Sequence, residues 1–82
     1  MDESFVPNLL KNELETREER LSKVTDEIHR MRDKIADVQS YAAFADVYWL
    51  RKEMEVYEKV RRELRGEVSA LRQAIAKLER GD

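Results

Sequence analysis

Cysteine is absent from this chain of 82 residues, and residues that interrupt helices are scarce, with one proline and two glycines. Without cysteine the chain has no disulfide framework and no thiol chemistry. A chain with so few turn-forming residues favours long, uninterrupted helices. No run of apolar residues approaches the roughly 20 that a helix needs to cross a bilayer, so no membrane span is predicted.

An excess of charge of one sign is also missing. The formal net charge is −2 and the isoelectric point is about 5.5, which gives no general attraction to nucleic acid or to anionic membranes. Residues 1–7 lack the charged and apolar regions of a secretory signal, so a cytoplasmic location is expected. Charged and hydrophobic residues each make up 41% of the chain, which is typical of long helices and coiled coils.

Two periodic series of apolar residues run through the chain. Both alternate steps of four and three, the spacing of positions a and d in a coiled-coil heptad, and each has one polar member, Arg17 or Arg61. This periodicity separates the chain from disordered sequences, despite a mean hydropathy of −0.77. The first series is Leu10, Leu14, Arg17, Leu21, Val24, Ile28, Met31, Ile35 and Val38; the second is Val47, Leu50, Met54, Tyr57, Arg61, Leu64, Val68, Leu71, Ile75 and Leu78.

The two series are out of phase. Continuing the first frame places position a at residues 42 and 49, whereas the second frame has it at Val47, and the shift fits neither a stutter nor a stammer. The sequence therefore predicts an all-α fold, an antiparallel helical hairpin formed by a two-stranded coiled coil. The predicted segments are an N-terminal cap or short tail (1–8), helix 1 (9–39), a hairpin tip (40–46) and helix 2 (47–80). A single pair of helices buries little apolar surface, so pairing into a four-helix bundle or a larger helical assembly is expected.

Folding the chain at the tip sets the two series level with each other, so that every a residue faces a d residue. We call this row of facing residues the seam. All of its layers are apolar on both sides except two, each of which opposes an arginine to a valine. From the tip outwards the layers are Val38 with Val47, Ile35 with Leu50, Met31 with Met54, Ile28 with Tyr57, Val24 with Arg61, Leu21 with Leu64, Arg17 with Val68, Leu14 with Leu71, and Leu10 with Ile75.

Charged residues beside the seam are expected to support this register. The frame places opposite charges near each other along the g edge, and it requires two cations on the e edge to turn towards glutamates. The expected g-edge neighbours are Lys34 with Glu53 and Arg20 with Glu67; on the e edge Glu18 is expected to reach Arg65 or Arg72, Arg32 to reach Glu58, and Lys11 to reach Glu79.

The helix ends are predicted from capping residues. Pro7 favours a start of helix 1 between residues 4 and 9. Asp46 is the expected N-cap of helix 2, because its carboxylate can accept hydrogen bonds from free backbone amides. Gly81 is the expected stop at the end of helix 2.

Four of the six aromatic residues cluster at the hairpin tip, outside the seam: Tyr41, Phe44, Tyr48 and Trp49. One interpretation is that they pack on one another and close the end of the coiled coil in place of a glycine turn. A second is that some stay exposed and form a partner-binding surface, since tryptophan and tyrosine are enriched among binding hot spots. Contact with a membrane surface is a third. We predict the partner-binding role.

Four residues are candidates for setting register or oligomeric state: Arg17, Arg61, Val56 and Val60. The simpler interpretation of each seam arginine is that its stem lies along the apolar seam while the guanidinium reaches solvent or a nearby glutamate. Val56 and Val60, with Ala70 and Ala74, extend the apolar surface of helix 2 beyond the seam. They indicate a further helical partner, in a homo-oligomer or in a hetero-complex.

Residues that carry catalysis or bind metal are sparse. His29 is the only histidine and lies at an outward position b, so no metal, cofactor or small-molecule substrate is expected. Arg61, Arg62 and Arg65 are interleaved with glutamates, which makes nucleic-acid binding a weaker expectation. The predicted function is that of a non-enzymatic structural, assembly or adaptor subunit acting through protein–protein interaction. The alternative is a nucleic-acid-associated regulatory hairpin dimer, which a mobility-shift assay at low salt would detect.

Overall fold

The computed structural model of the chain describes residues 5–39 and 44–81, with side chains described for residues 5–39 and 46–81. Two helices, α1 (Phe5–Val38) and α2 (Phe44–Arg80), lie antiparallel and form a rod of 61 × 16 × 16 Å. The predicted all-α antiparallel hairpin is therefore confirmed. Tyr41 lies outside the described residues.

Helix α1 begins at Phe5, inside the predicted window and before the start of the predicted segment at residue 9. Pro7 is tolerated there because the first four N–H groups of a helix have no acceptor within it, so a missing N–H costs little. Helix α2 begins at Phe44, and the prediction of Asp46 as its N-cap is wrong. Asp46 lies in the first turn of α2, where its negative charge still favours the positive end of the helix dipole.

The other end of α2 follows the prediction. The helix stops at Arg80, and Gly81 adopts a left-handed conformation with a φ of 76°. Its N–H donates a hydrogen bond to the carbonyl of Leu78 at 3.2 Å, which satisfies one of the free carbonyls of the last turn. Because only glycine adopts this φ without a steric penalty, the predicted role of Gly81 as a helix stop is confirmed.

The core is the predicted seam. Every seam residue is buried or partly buried except Leu78, which is 43% exposed at the open end of the hairpin. Ile28 is the most completely enclosed, at 0% exposure, in the layer that faces Tyr57. The most buried side chains of the described residues all belong to the seam; they are Ile28, Met31, Ile35, Val47, Leu64, Val68 and Ile75.

The register is confirmed by three ion pairs between the helices along the e edge. They join Lys11 to Glu79 at 2.9 Å, Glu18 to Arg72 at 3.3 Å, and Arg32 to Glu58 at 3.7 Å. The residue numbers rise along α1 by the same steps by which they fall along α2, as a single antiparallel register requires. The cations that the sequence places near other cations have turned to glutamates.

A double-mutant cycle tests this register at Glu18 and Arg72. We expect Arg72→Glu to destabilise the hairpin, because it puts two carboxylates where an exposed ion pair stands. The double variant Glu18→Arg/Arg72→Glu should recover the loss, with a coupling of about 0.2–1 kcal/mol from thermal unfolding at low salt. In about 1 M salt, where the Debye length is about 3 Å, the coupling should fall towards zero. No coupling at low salt would contradict the pairing.

Candidate partner-binding surface

Two aromatic residues of the predicted tip, Tyr48 and Trp49, lie on the first turns of α2. Their rings contact each other edge to face, with centroids 5.3 Å apart and planes at 81°. Trp49 nevertheless remains 68% exposed and Tyr48 43% exposed. Lys52 places its Nζ 5.5 Å from the centre of the Tyr48 ring, a cation–π contact. We call Tyr48 and Trp49 the tip pair. Phe44 is the first residue of α2, and its side chain is not described.

The seam holds the tip pair in place. Val47 and Leu50 flank the pair in sequence and turn into the seam, where Val47 is only 9% exposed. Because successive helix positions point about 100° apart, anchoring these two residues directs Tyr48 and Trp49 away from the seam. The aromatic rings therefore stand on a packed helix rather than on a loop, which lowers the entropy lost when a partner binds.

The two sides of the seam differ in character. Positions e and b flank it on one side, which we call the e side, and positions g and c flank it on the other, the g side. The ion pairs from Lys11, Glu18 and Arg32 to α2 lie on the e side. The g side carries one ion pair between the helices, from Arg17 Nε to Glu67 at 3.2 Å, among the described side chains.

Exposed apolar residues of α2 follow the g side. Val56 is 62% exposed and Val60 is 36% exposed, and Ala70 and Ala74 continue the line along the helix. We call these four residues the valine face. Trp49 lies at the tip end of the same side. At the open end, Val6 and Leu9 of α1 add 47% and 48% exposed side chains.

A shallow groove of about 270 Å³ lies between the two helices on the g side, next to the tip. Its apolar lining is formed by Met31 and Leu50, and its rim carries charged residues of both signs. The predicted neighbours Lys34 and Glu53 both line this rim, together with Glu27 and Arg30.

Arg17 has hydrogen-bond partners in the seam. Its stem is half-buried, while its guanidinium donates hydrogen bonds to the carboxylates of Glu13 and Glu67 and to the backbone carbonyl of Glu13. The hydrogen bond to Glu13 stabilises the charged form and raises the pKa of Arg17 above its ordinary value, and the charges of Glu13 and Glu67 act in the same direction. This is the arrangement expected of a seam arginine that reaches a nearby glutamate.

Arg61 differs from Arg17, a distinction that the sequence analysis missed. Its Nε is buried, and no side chain or backbone group of the described residues accepts a hydrogen bond from it. The sequence carries no clear signal for the difference, since a glutamate stands within one turn before each arginine, Glu13 before Arg17 and Glu58 before Arg61. A buried donor without an acceptor costs stability.

The remaining candidates lie apart from one another. His29, Arg62 and Arg65 are exposed, whereas Arg61 lies in the seam, so only two arginines of this run face solvent together. Within residues 5–39 and 44–81, no three acidic or histidine side chains are placed to hold a metal ion. Neither α1 nor α2, as far as the structure describes them, is long and apolar enough to cross a membrane.

Comparison with protein families, with curated proteins and with solved structures finds no significant match to the chain. The tip pair and the valine face are therefore the two surfaces of the described structure that bear on function.

Proposed function

We propose that the chain is a non-enzymatic structural, assembly or adaptor subunit that acts through protein–protein interaction, with the tip pair as a docking point. The observation that carries the proposal is the 68% exposure of Trp49 at one end of a rod 61 Å long. Exposing a large aromatic ring to water forgoes about 25 cal/mol for each Å² that burial would remove. A partner that covers Trp49 recovers that free energy.

The rod itself supplies the second part of the role. A length of 61 Å places the tip pair far from the open end of the hairpin, so anything bound at the two ends is held apart. The tip pair offers an apolar ring surface with polar neighbours, since Lys52 lies over the Tyr48 ring and pairs with Glu55 at 3.5 Å. Tryptophan and tyrosine with such polar neighbours are typical of binding hot spots.

Site-directed photocrosslinking tests the docking point. A benzophenone amino acid at position 49 should give discrete protein adducts in cells that express the full chain. The same probe at Phe5, which is 51% exposed at the opposite end, serves as the matched control and should give few. Mass spectrometry then identifies the adducts. Equal labelling from both positions would remove the tip as a specific docking point.

Alanine variants test the energetics against the identified partner. We expect Trp49→Ala to weaken binding by about 30-fold or more, the loss of a typical hot spot of about 2 kcal/mol. Phe5→Ala should leave binding unchanged. Both variants should keep their helicity, with unfolding free energies within about 0.5 kcal/mol of the parent, because both side chains are exposed. A collapse of the melting temperature in Trp49→Ala would instead assign the ring to structural packing.

A further inference from the structure

The valine face is an unpartnered helix face. Val56 and Val60 lie outside the seam, and their 62% and 36% exposures mean that α1 does not cover them. The e side has no comparable line of exposed branched apolar residues among the described positions; it carries three ion pairs between the helices instead. If the hairpin packs against another helical element, the g side is the surface on which it does so.

Charge on the g side is divided between the two helices. On the g side, the charged residues of α1 between positions 20 and 34 are basic except Glu27, and those of α2 between positions 53 and 67 are acidic. The basic residues of α1 are Arg20, Lys23, Arg30 and Lys34, and the acidic residues of α2 are Glu53, Glu63 and Glu67. One of these bases, Arg30, already pairs with Glu27 of its own helix at 2.8 Å. The surface is therefore complementary to a copy of itself, provided that α1 of one copy lies over α2 of the other.

Two-fold symmetry allows two ways of packing the g sides of two copies face to face. When the axis runs along the rod, both tips lie at the same end and α1 of each copy covers α2 of the other at the same height. When the axis runs across the rod, the tips lie at opposite ends, and each helix packs on the same helix of the other copy, α1 on α1 and α2 on α2. The second arrangement sets bases against bases and acids against acids, which costs free energy.

The arrangement with both tips at one end matches the charges along the rod. Because residues of α1 and α2 at the same height face each other between copies, three of the four bases meet an acid of the partner, and the fourth, Arg30, pairs with Glu27 of its own helix. The facing pairs are Lys34 with Glu53, Lys23 with Glu63, and Arg20 with Glu67. Two of these pairs, Lys34 with Glu53 and Arg20 with Glu67, are also the expected g-edge neighbours within one hairpin, where Glu67 already pairs with Arg17; Lys23 and Glu63 stand further out and report on the other copy. Every helix is then antiparallel to its neighbours, as in an up-down four-helix bundle.

The available area is sufficient for a stable dimer. One long side of a rod of 61 × 16 Å offers roughly 1,000 Å², more than the ~800 Å² per partner of a standard interface. The valine face would lie inside that contact, where Val56 and Val60 pack against the other copy. A two-helix hairpin gains in this way the additional core that its single seam lacks.

We infer that a second copy of this chain covers the valine face, with a two-fold axis along the rod and both tips at the same end. The inference deepens the proposed function and rests on it in one respect, since the dimer presents two tip pairs side by side. A partner with two matching sites would bind such a dimer with an avidity that one hairpin cannot supply.

Light scattering over micromolar to millimolar concentrations tests the pairing. The parent chain should show twice its mass of 9.8 kDa, and Val56→Glu/Val60→Glu should show the mass of a single chain. Ser69→Glu, an exposed site at position b of the same helix, is the matched control and should remain a dimer. A parent chain that stays at 9.8 kDa throughout, or a control that dissociates as readily as the valine variant, overturns the inference.

Charge exchange tests which helices face each other. Glu63→Lys alone and Lys23→Glu alone should each raise the dimer dissociation constant by about tenfold or more, and the double variant should restore it. Both residues stand at outward positions c of the same hairpin, so the rescue reports on contact between copies. Single variants without a loss, or a double variant without recovery, overturn this helix pairing.

Spin labels test the direction of the copies. The chain has no cysteine, so Ala36→Cys introduces one labelling site, at an exposed position near the tip. Pulsed electron resonance should give a distance between labels of about the width of a four-helix bundle, well below the 61 Å length of the rod. A distance approaching that length would place the tips at opposite ends and overturn the arrangement.

These outcomes are separable from the docking role of the tip. A chain that is monomeric by light scattering but gives specific adducts at position 49 keeps the docking role and loses the dimer. A dimer that gives no specific adducts at position 49 keeps the valine-face contact and loses the tip as a docking point.

Discussion

Replacing Ile28 with alanine is expected to destabilise the hairpin by about 2–5 kcal/mol, the cost of removing a large aliphatic side chain from a packed core. Ile28 is 0% exposed, and its layer lies near the middle of the seam, so the cavity cannot open to solvent at a rod end. Small domains have only about 5–15 kcal/mol of total stability, so the loss would take a large part of it.

Thermal and urea unfolding followed by circular dichroism would measure this effect at one protein concentration, because association shifts the transition of an oligomer. Leu78→Ala is the matched control. Leu78 also belongs to the a/d series but is 43% exposed, so its truncation should cost about 1 kcal/mol or less. Similar losses of stability at both positions would contradict a core whose side chains become less buried from the middle of the rod to its open end.

Replacing Arg61 with leucine is expected to act in the opposite direction. The change removes a buried Nε that has no hydrogen-bond acceptor in the described structure and places an apolar side chain opposite Val24. Relief of an unsatisfied buried donor is worth about 1–3 kcal/mol. For a chain of this size each 1 kcal/mol raises the melting temperature by roughly 4–8 °C.

Two control variants test whether the stabilisation is specific to Arg61. Arg62→Leu makes the same chemical change at an exposed position and should shift stability by no more than about 0.5 kcal/mol. Arg17→Leu removes an arginine that is paired with Glu13 and Glu67, so its gain in apolar packing is offset by lost ion pairs, and the net change should stay within about 1 kcal/mol. A stabilised Arg17→Leu beside an unchanged Arg61→Leu would reverse the assignment of the unsatisfied arginine.

A specificity role for Arg61 would be seen in the same samples. Polar residues in a seam can cost stability while they select one register or one oligomeric state. If Arg61 has that role, Arg61→Leu melts higher but shows a broader range of masses by light scattering than the parent. A sharp single mass would assign Arg61 to a cost in stability alone.

At the hairpin tip, heptad periodicity and capping residues differ in what they predict about the helix ends. The out-of-phase heptads located the reversal of the chain, but they placed the start of helix 2 at residue 47, whereas α2 begins at Phe44. Asp46 carried a cap signal that the first turn of α2 overrode, because an acidic residue is favourable both at the N-cap and in the first turn. Local signals of this kind locate a helix end only to within a few residues.

Heptad periodicity and the short tip together determined the hairpin, its antiparallel register and the residues of its core, because a seam that buries every third or fourth residue and closes through a short tip aligns Ile28 with Tyr57 and Val38 with Val47. It also predicted that Lys11 and Arg32 pair with glutamates, and both ion pairs are formed. Only the tertiary structure decided how equivalent seam arginines differ, since a hydrogen bond depends on where an acceptor lies in space. It likewise decided that Trp49 and Val56 stay exposed. Exposure depends on every neighbouring atom, whereas the heptad position predicts only the direction in which a side chain points.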